Sequence, residues 1–173
     1  MKLTLSLLAI AAALPLAAQG PDPKANPVAA SAAGLYMQVA GNITKSIEKM
    51  PADKFSYKPI DTVMPFSEFI GHLTDANWNF CAPITGATKP ASIRKETSKD
   101  ALAAAWKAAM DECVKAWGKT TDASLGQMVK MGNNERPAAF PLFLNTSHTW
   151  EHYGNLVTYL RMNGLVPPSS DRR

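Results

Sequence analysis

The sequence predicts an all-α protein built as a four-helix bundle, and three observations predict it. Four stretches repeat apolar residues at helical spacing, no stretch alternates apolar and polar residues with period two, and stop signals such as Pro51, Pro83, Gly118 and Gly164 follow the helical stretches. One domain with a full core fits a chain of 173 residues. Four amphipathic helices in one domain bury their stripes against each other, and such bundles build their sites from side chains on facing helices.

Residues 1–18 precede the fold. Met1-Lys2 forms a short positive start, Leu3 to Leu16 an apolar run, and Ala17-Ala18 a small-residue cleavage zone. This is the pattern of a secretory signal peptide, and the run is short for a transmembrane helix. The expectation is an exported protein, periplasmic or extracellular, with no stable membrane insertion once the leader is removed. Residues 19–26 read as a flexible polar segment, residues 27–168 as the bundle and residues 169–173 as a C-terminal tail.

The first helix opens at Asn26-Pro27, an N-cap followed by proline in the first turn, and stops at Met50-Pro51. Its predicted stripe is Leu35, Val39, Ile43 and Ile47. After a connecting segment, the second helix starts near Pro65 or Ser67, carries Phe66, Phe69, Ile70, Leu73 and Phe80 on one face, and ends at Pro83. The third is capped at Thr97-Ser98 and carries Leu102, Trp106, Ala109, Met110, Cys113 and Trp117 up to Gly118. Residues 119–140 read as irregular. The fourth runs from about Pro141 to Asn163, with Gly164 and Pro167-Pro168 as stop signals.

Basic and acidic residues are interleaved, 18 against 14, with no basic block apart from Arg172-Arg173. That excludes the clustered basic face a nucleic-acid partner requires. Two cysteines, Cys81 and Cys113, in a chain bound for an oxidising compartment lead to the expectation of a disulfide; the alternative is a pair of buried thiols.

The chain has three histidines. His148 and His152 are four residues apart on a helix, so their imidazoles leave the same face. His72 borders the apolar face of the second helix. Two or three imidazoles meeting at one point are a metal site. The segment His148-Thr149-Trp150-Glu151-His152 also matches a metallopeptidase pattern, but too little chain follows for that pattern's acidic third ligand. The ordinary alternative is that the histidines are hydrogen-bonded structural residues.

Phe66-Ser-Glu-Phe-Ile-Gly-His72-Leu, the linker Met50-Pro-Ala-Asp-Lys-Phe-Ser-Tyr-Lys-Pro59, and His148-x-x-x-His152-Tyr-Gly-Asn-Leu-Val-Thr-Tyr-Leu-Arg-Met-Asn-Gly-Leu-Val-Pro-Pro168 together resemble the DinB/YfiT-like family over residues 28–168. The resemblance implies up-down-down-up topology and a divalent metal ion held by His72, His148 and His152. It also implies that the second and third helices run parallel, which would set Cys81 and Cys113 at similar height. Asn155 departs from the family's usual glutamine. Three imidazoles leave a coordination position open, as catalytic zinc sites do, and Zn or Ni is the expected ion. An open divalent ion lowers the pKa of bound water to about 7 or holds a thiol as thiolate. Hydrolysis or thiol transfer on a small-molecule substrate is therefore the expected chemistry: the resemblance favours thiol transfer to an electrophile, and export, where reduced small thiols are scarce, brings hydrolysis level with it. The alternatives are a non-catalytic metal-binding or stress-related bundle, and a bundle whose triad is vestigial; a homodimer is compatible with either. Glu68 and Asp75, one turn from His72, and Asn145 and Asn155, one turn from the other pair, are the expected supporting residues.

Overall fold

The computed structural model describes residues 20–171, so the leader assigned to residues 1–18 lies outside the described residues. Four long helices make the molecule: α1 (Pro27–Lys49), α2 (Phe66–Thr85), α3 (Lys99–Gly118) and α4 (Ala139–Met162). Among the described residues no helix is long and apolar enough to cross a membrane.

The topology is up-down-down-up, and pair contacts establish each direction. Lys99 at the start of α3 donates to the carbonyls of Glu48 and Met50 at the end of α1, at 2.9 and 2.8 Å. Asp122, just beyond α3, accepts from the N–H groups of Val28 and Ala29 at the start of α1. The two helices are therefore antiparallel, and each end of α1 is satisfied by the chain flanking α3. Residues 86–98 run back along α2: Lys89 reaches Asn79 at 2.7 Å, Ser92 reaches Asp75, and Arg94 reaches Glu68 at 3.0 Å. This return path delivers α3 to the start of α2, so the two run parallel and Cys81 and Cys113 come level. Their sulfurs are bonded, with Cα atoms 5.0 Å apart, and both residues are fully buried.

The core is one cluster fed by all four helices. Trp106, Trp117, Tyr36, Phe66, Ile43, Ile70, Leu73, Leu102, Leu142 and Leu156 are its largest helical members and are at most 1% exposed. A polar layer crosses it. Tyr36 donates to Asn77 Oδ1 at 2.6 Å, Asn145 Nδ2 donates to the same oxygen at 3.2 Å, and Asn77 Nδ2 donates to the Leu73 carbonyl. Burial pushes the Tyr36 phenol far above its ordinary range, so it stays protonated and serves as a donor.

The sequence reading is corrected in five places. Residues 119–140 contain an antiparallel hairpin, β1 (Met128–Met131) and β2 (Asn134–Pro137). Its strands have four residues each and are largely exposed, so no apolar alternation marks them. Gly132, at φ +60°, supplies the first turn position, where a II′-type hairpin needs glycine. The second helix continues two residues past Pro83, because proline removes only its own N–H and later groups still bond back, as Gly86 N–H does to the Ala82 carbonyl at 2.8 Å; Gly86, at φ +80°, is the true stop. Leu35 is 53% exposed, and its neighbour Tyr36 is the residue that turns inward. Residues 22–26 form a turn rather than a loose segment, closed by Asn26 N–H to the Asp22 carbonyl at 2.8 Å and held by the Asn26 side chain accepting from Asp122 N–H. The C-terminal tail is docked as far as Asp171, which pairs with Lys49 at 2.7 Å.

Candidate metal centre

Packing α2 antiparallel to α4 brings three distant histidines together. Nε2 of His72 lies 3.0 Å from that of His148 and 3.1 Å from that of His152, and the latter two are 3.0 Å apart. The rings stand steeply to one another, at 64° to 88°, so only their Nε2 corners converge. His148 and His152 owe their common direction to one helical turn. His72 owes its position to the flanking core residues Leu73 and Ile70, both fully buried.

Hydrogen bonding alone cannot satisfy this triangle. An imidazole Nε2 either carries a proton and donates or lacks one and accepts, never both. Three such atoms in mutual contact therefore leave at least one pair facing with like polarity. A cation shared by three lone pairs removes the conflict, and among the described residues this is the group with metal-ligand geometry. All three histidines have their pKa values lowered, chiefly by burial. His152 is brought down to about 4, with the charges of His148 and His72 adding to burial and Glu151 opposing. His148 is lowered by burial and by His72. His72 is lowered by burial and then by the Arg94 guanidinium, against Asp75, Glu68 and Glu151. Neutral imidazole is the form that ligates. Aromatic rings flank the cluster: Phe69 edges onto His152 at 5.5 Å and Phe80 onto His148 at 6.0 Å.

The four expected supporting residues divide. Asn155 does sit beside a ligand, its amide nitrogen 3.4 Å from His152 Nδ1. With Nε2 on an ion, Nδ1 carries the proton, so the amide would have to turn its oxygen to this contact. Asn145 faces the interior instead, bonded to Asn77 and close to both disulfide sulfurs. Its Oδ1 and His148 Nδ1 are buried without hydrogen-bond partners. Glu68 and Asp75 do not bond to His72. Glu68 pairs with Arg94, while Asp75 accepts from the Ser92 hydroxyl and, at 3.2 Å, from Ile93 N–H. Both acids hold the returning loop against α2.

That loop is the part of the site that sequence reasoning missed. Its backbone touches α2 at Gly71, one residue before His72. A Cβ there would sit 2.7 Å from Arg94 Cα and 3.0 Å from the Ile93 carbonyl oxygen. A glycine inside an otherwise helical apolar stretch is the available signal of such a close approach.

The DinB superfamily model matches residues 36–156, a span that includes all three histidines. No curated protein sequence matches the chain significantly. Among solved structures, a DinB-like protein from Bacillus cereus ATCC 10987 superposes with a TM-score of 0.68 at 15% identity, covering 79% of this chain and 93% of that one. A DinB-like protein from Bacillus subtilis gives 0.62 at 20% identity, covering 83% and 99%. The mycothiol-dependent maleylpyruvate isomerase gives 0.56 at 16% identity, covering 76% and 65%. At these identities the likeness is one of fold.

Proposed function

Because the chain belongs to the DinB superfamily, we propose that it is a metalloenzyme acting on a small molecule, with one divalent ion, Zn²⁺ or Ni²⁺, held by His72, His148 and His152. The observation that carries this reading is the triangle of Nε2 atoms, 3.0 to 3.1 Å on a side, that no proton arrangement satisfies. Three protein ligands leave room for a further one, and a bound divalent ion would supply Lewis acidity there. The chain's own part is to keep the three imidazoles neutral, to shield them with Phe69 and Phe80, and to orient His152 through Asn155.

Two reactions suit such a site: hydrolysis, and transfer of a thiol to an electrophile. The likeness to a mycothiol-dependent isomerase supports the second. The leader-like residues 1–18 and the Cys81–Cys113 disulfide support export to an oxidising compartment, where small reduced thiols are scarce, and so support the first. Protein purified without chelator should carry about one divalent ion per chain by elemental analysis. It should turn over a member of a panel of esters, amides and thiol acceptors only in the metal-loaded form. Metal-free protein with an intact fold that takes up no ion overturns the reading. A loaded protein inert across the panel reduces it to metal binding without catalysis.

A further inference from the structure

We propose that the cleft between the start of α2 and residues 92–97 holds the anionic end of the substrate, a carboxylate-bearing small molecule whose other end reaches the three-histidine site. This rests on the metal reading above and names the substrate class for the same site.

The cleft has a volume of about 590 Å³ and is lined by Ser67 and Glu68 from α2 and by Arg94, Lys95 and Glu96 from the returning loop. Glu68, which lines the cleft, lies one helical turn from His72 on the same face of α2. The loop cannot drift from this position. It is pinned by Glu68–Arg94, by the backbone contact at Gly71, and by Asp75 accepting from Ser92 and Ile93.

Its charges are not evenly spent. Glu96 turns its carboxylate back onto the N–H groups of Thr97 and Ser98, both at 2.8 Å. Glu68 takes the Nε of Arg94 and the Met64 sulfur one terminal nitrogen at 3.2 Å, which leaves further guanidinium N–H groups for a second acceptor. Lys95 forms no ion pair among the described residues and is exposed. Ser67 is only 4% exposed and lines the cleft, and its hydroxyl has no hydrogen-bond partner among the described residues. A hydroxyl without a protein partner, lining the same cleft as a guanidinium and an unpaired ammonium, makes a donor set suited to an anion.

The test uses Co²⁺-loaded full-length protein, whose visible bands report occupancy of the site independently of the cleft. ω-Mercaptocarboxylates of increasing length are titrated against ω-mercaptoalcohols of matched length, read by the sulfur-to-cobalt absorption. For one chain length, the acid should bind about tenfold tighter than the alcohol, the value of one charge-assisted hydrogen-bonded contact. Arg94→Gln with Lys95→Gln should erase that preference, read as the ratio of acid to alcohol affinity in the same protein. Ser67→Ala should reduce it in part. Equal binding of acids and alcohols to the cobalt-loaded protein overturns the cleft assignment alone. So does a preference that survives in the double variant, since it then arises from the ion's own charge. A protein that takes up no cobalt overturns the metal reading, and this proposal with it.

Discussion

His72 Nε2 and His148 Nε2 lie 3.0 Å apart although 76 residues separate them in the chain. Nothing covalent links α2 to α4 near this contact; the packing of the bundle alone makes it. The site therefore depends on the fold, while the apolar core is built from residues other than the three histidines.

Replacing His152 by Ala should weaken metal binding by more than the roughly 10–100-fold that losing a supporting partner costs, because a ligand itself is removed. Helical content and cooperative unfolding should persist. Isothermal titration and circular dichroism would check the two halves. A variant that fails to fold would make the ion structural rather than functional.

The metal-free protein should lose stability as pH falls through the range below 6.5. The sign follows from the direction of the shifts. All three histidines have folded-state pKa values below their ordinary value, so between the two values the unfolded chain binds more protons and acid favours unfolding. For His152 the window extends down to about 4. Urea midpoints of the chelated protein at pH 7 and 4.5 would show the loss. The His72→Gln, His148→Gln, His152→Gln triple variant should show a shallower slope, with the remaining acid sensitivity due to carboxylates such as Glu96, whose pKa is lowered by the Ser98 and Thr97 N–H groups.

Gly71→Ala should destabilise despite alanine's better helix propensity. The new methyl group meets backbone atoms at 2.7 and 3.0 Å, which cannot step aside as a flexible side chain would. Overpacking costs about 1–3 kcal/mol, against about 1 kcal/mol gained in propensity. Chemical denaturation measures the difference. Because the displaced backbone adjoins His72, metal affinity should fall in the same variant.

Reduction of the Cys81–Cys113 bridge should lower stability by about 3–4 kcal/mol in the chain-entropy model, since it closes a loop of 32 residues. Intact mass should rise by two hydrogens only after unfolding in reductant, because both sulfurs are buried. Retention of the full thermal midpoint in a Cys81→Ala, Cys113→Ala variant would contradict the expectation.

The four helices were legible in the sequence because an apolar stripe is a repeated signal that tolerates single errors. Leu35 is such an error: one position of 100° rotation separates it from Tyr36, and periodicity alone does not resolve neighbours on a stripe's edge. The triad was legible because the chain holds three histidines and two of them share a helical face. The roles of Glu68 and Asp75 were not, since their partners lie in a loop whose return path has no periodicity to read. Asn145 was misplaced for a related reason. One turn from His148 suggested contact with it, while the amide's actual partner, Asn77, comes from another helix. The hairpin escaped notice because exposed four-residue strands carry no apolar code.

The Tyr36–Asn77–Asn145 layer bears on which bundle this sequence can form. Apolar stripes tolerate sliding: moving α4 by one turn along α2, about 5.4 Å, would exchange one set of hydrocarbon contacts for another. The amides do not tolerate it, because a slipped bundle would leave Asn77 and Asn145 dissolved in hydrocarbon at a cost of about 1–3 kcal/mol each. Asn77 lies five residues after His72 and Asn145 three residues before His148, on helices running in opposite directions. The slip that would strand the amides is thus the same slip that would pull the imidazoles apart. Three residues that touch no ion act as an alignment mark, and the ligand triangle is assembled whenever that mark is met.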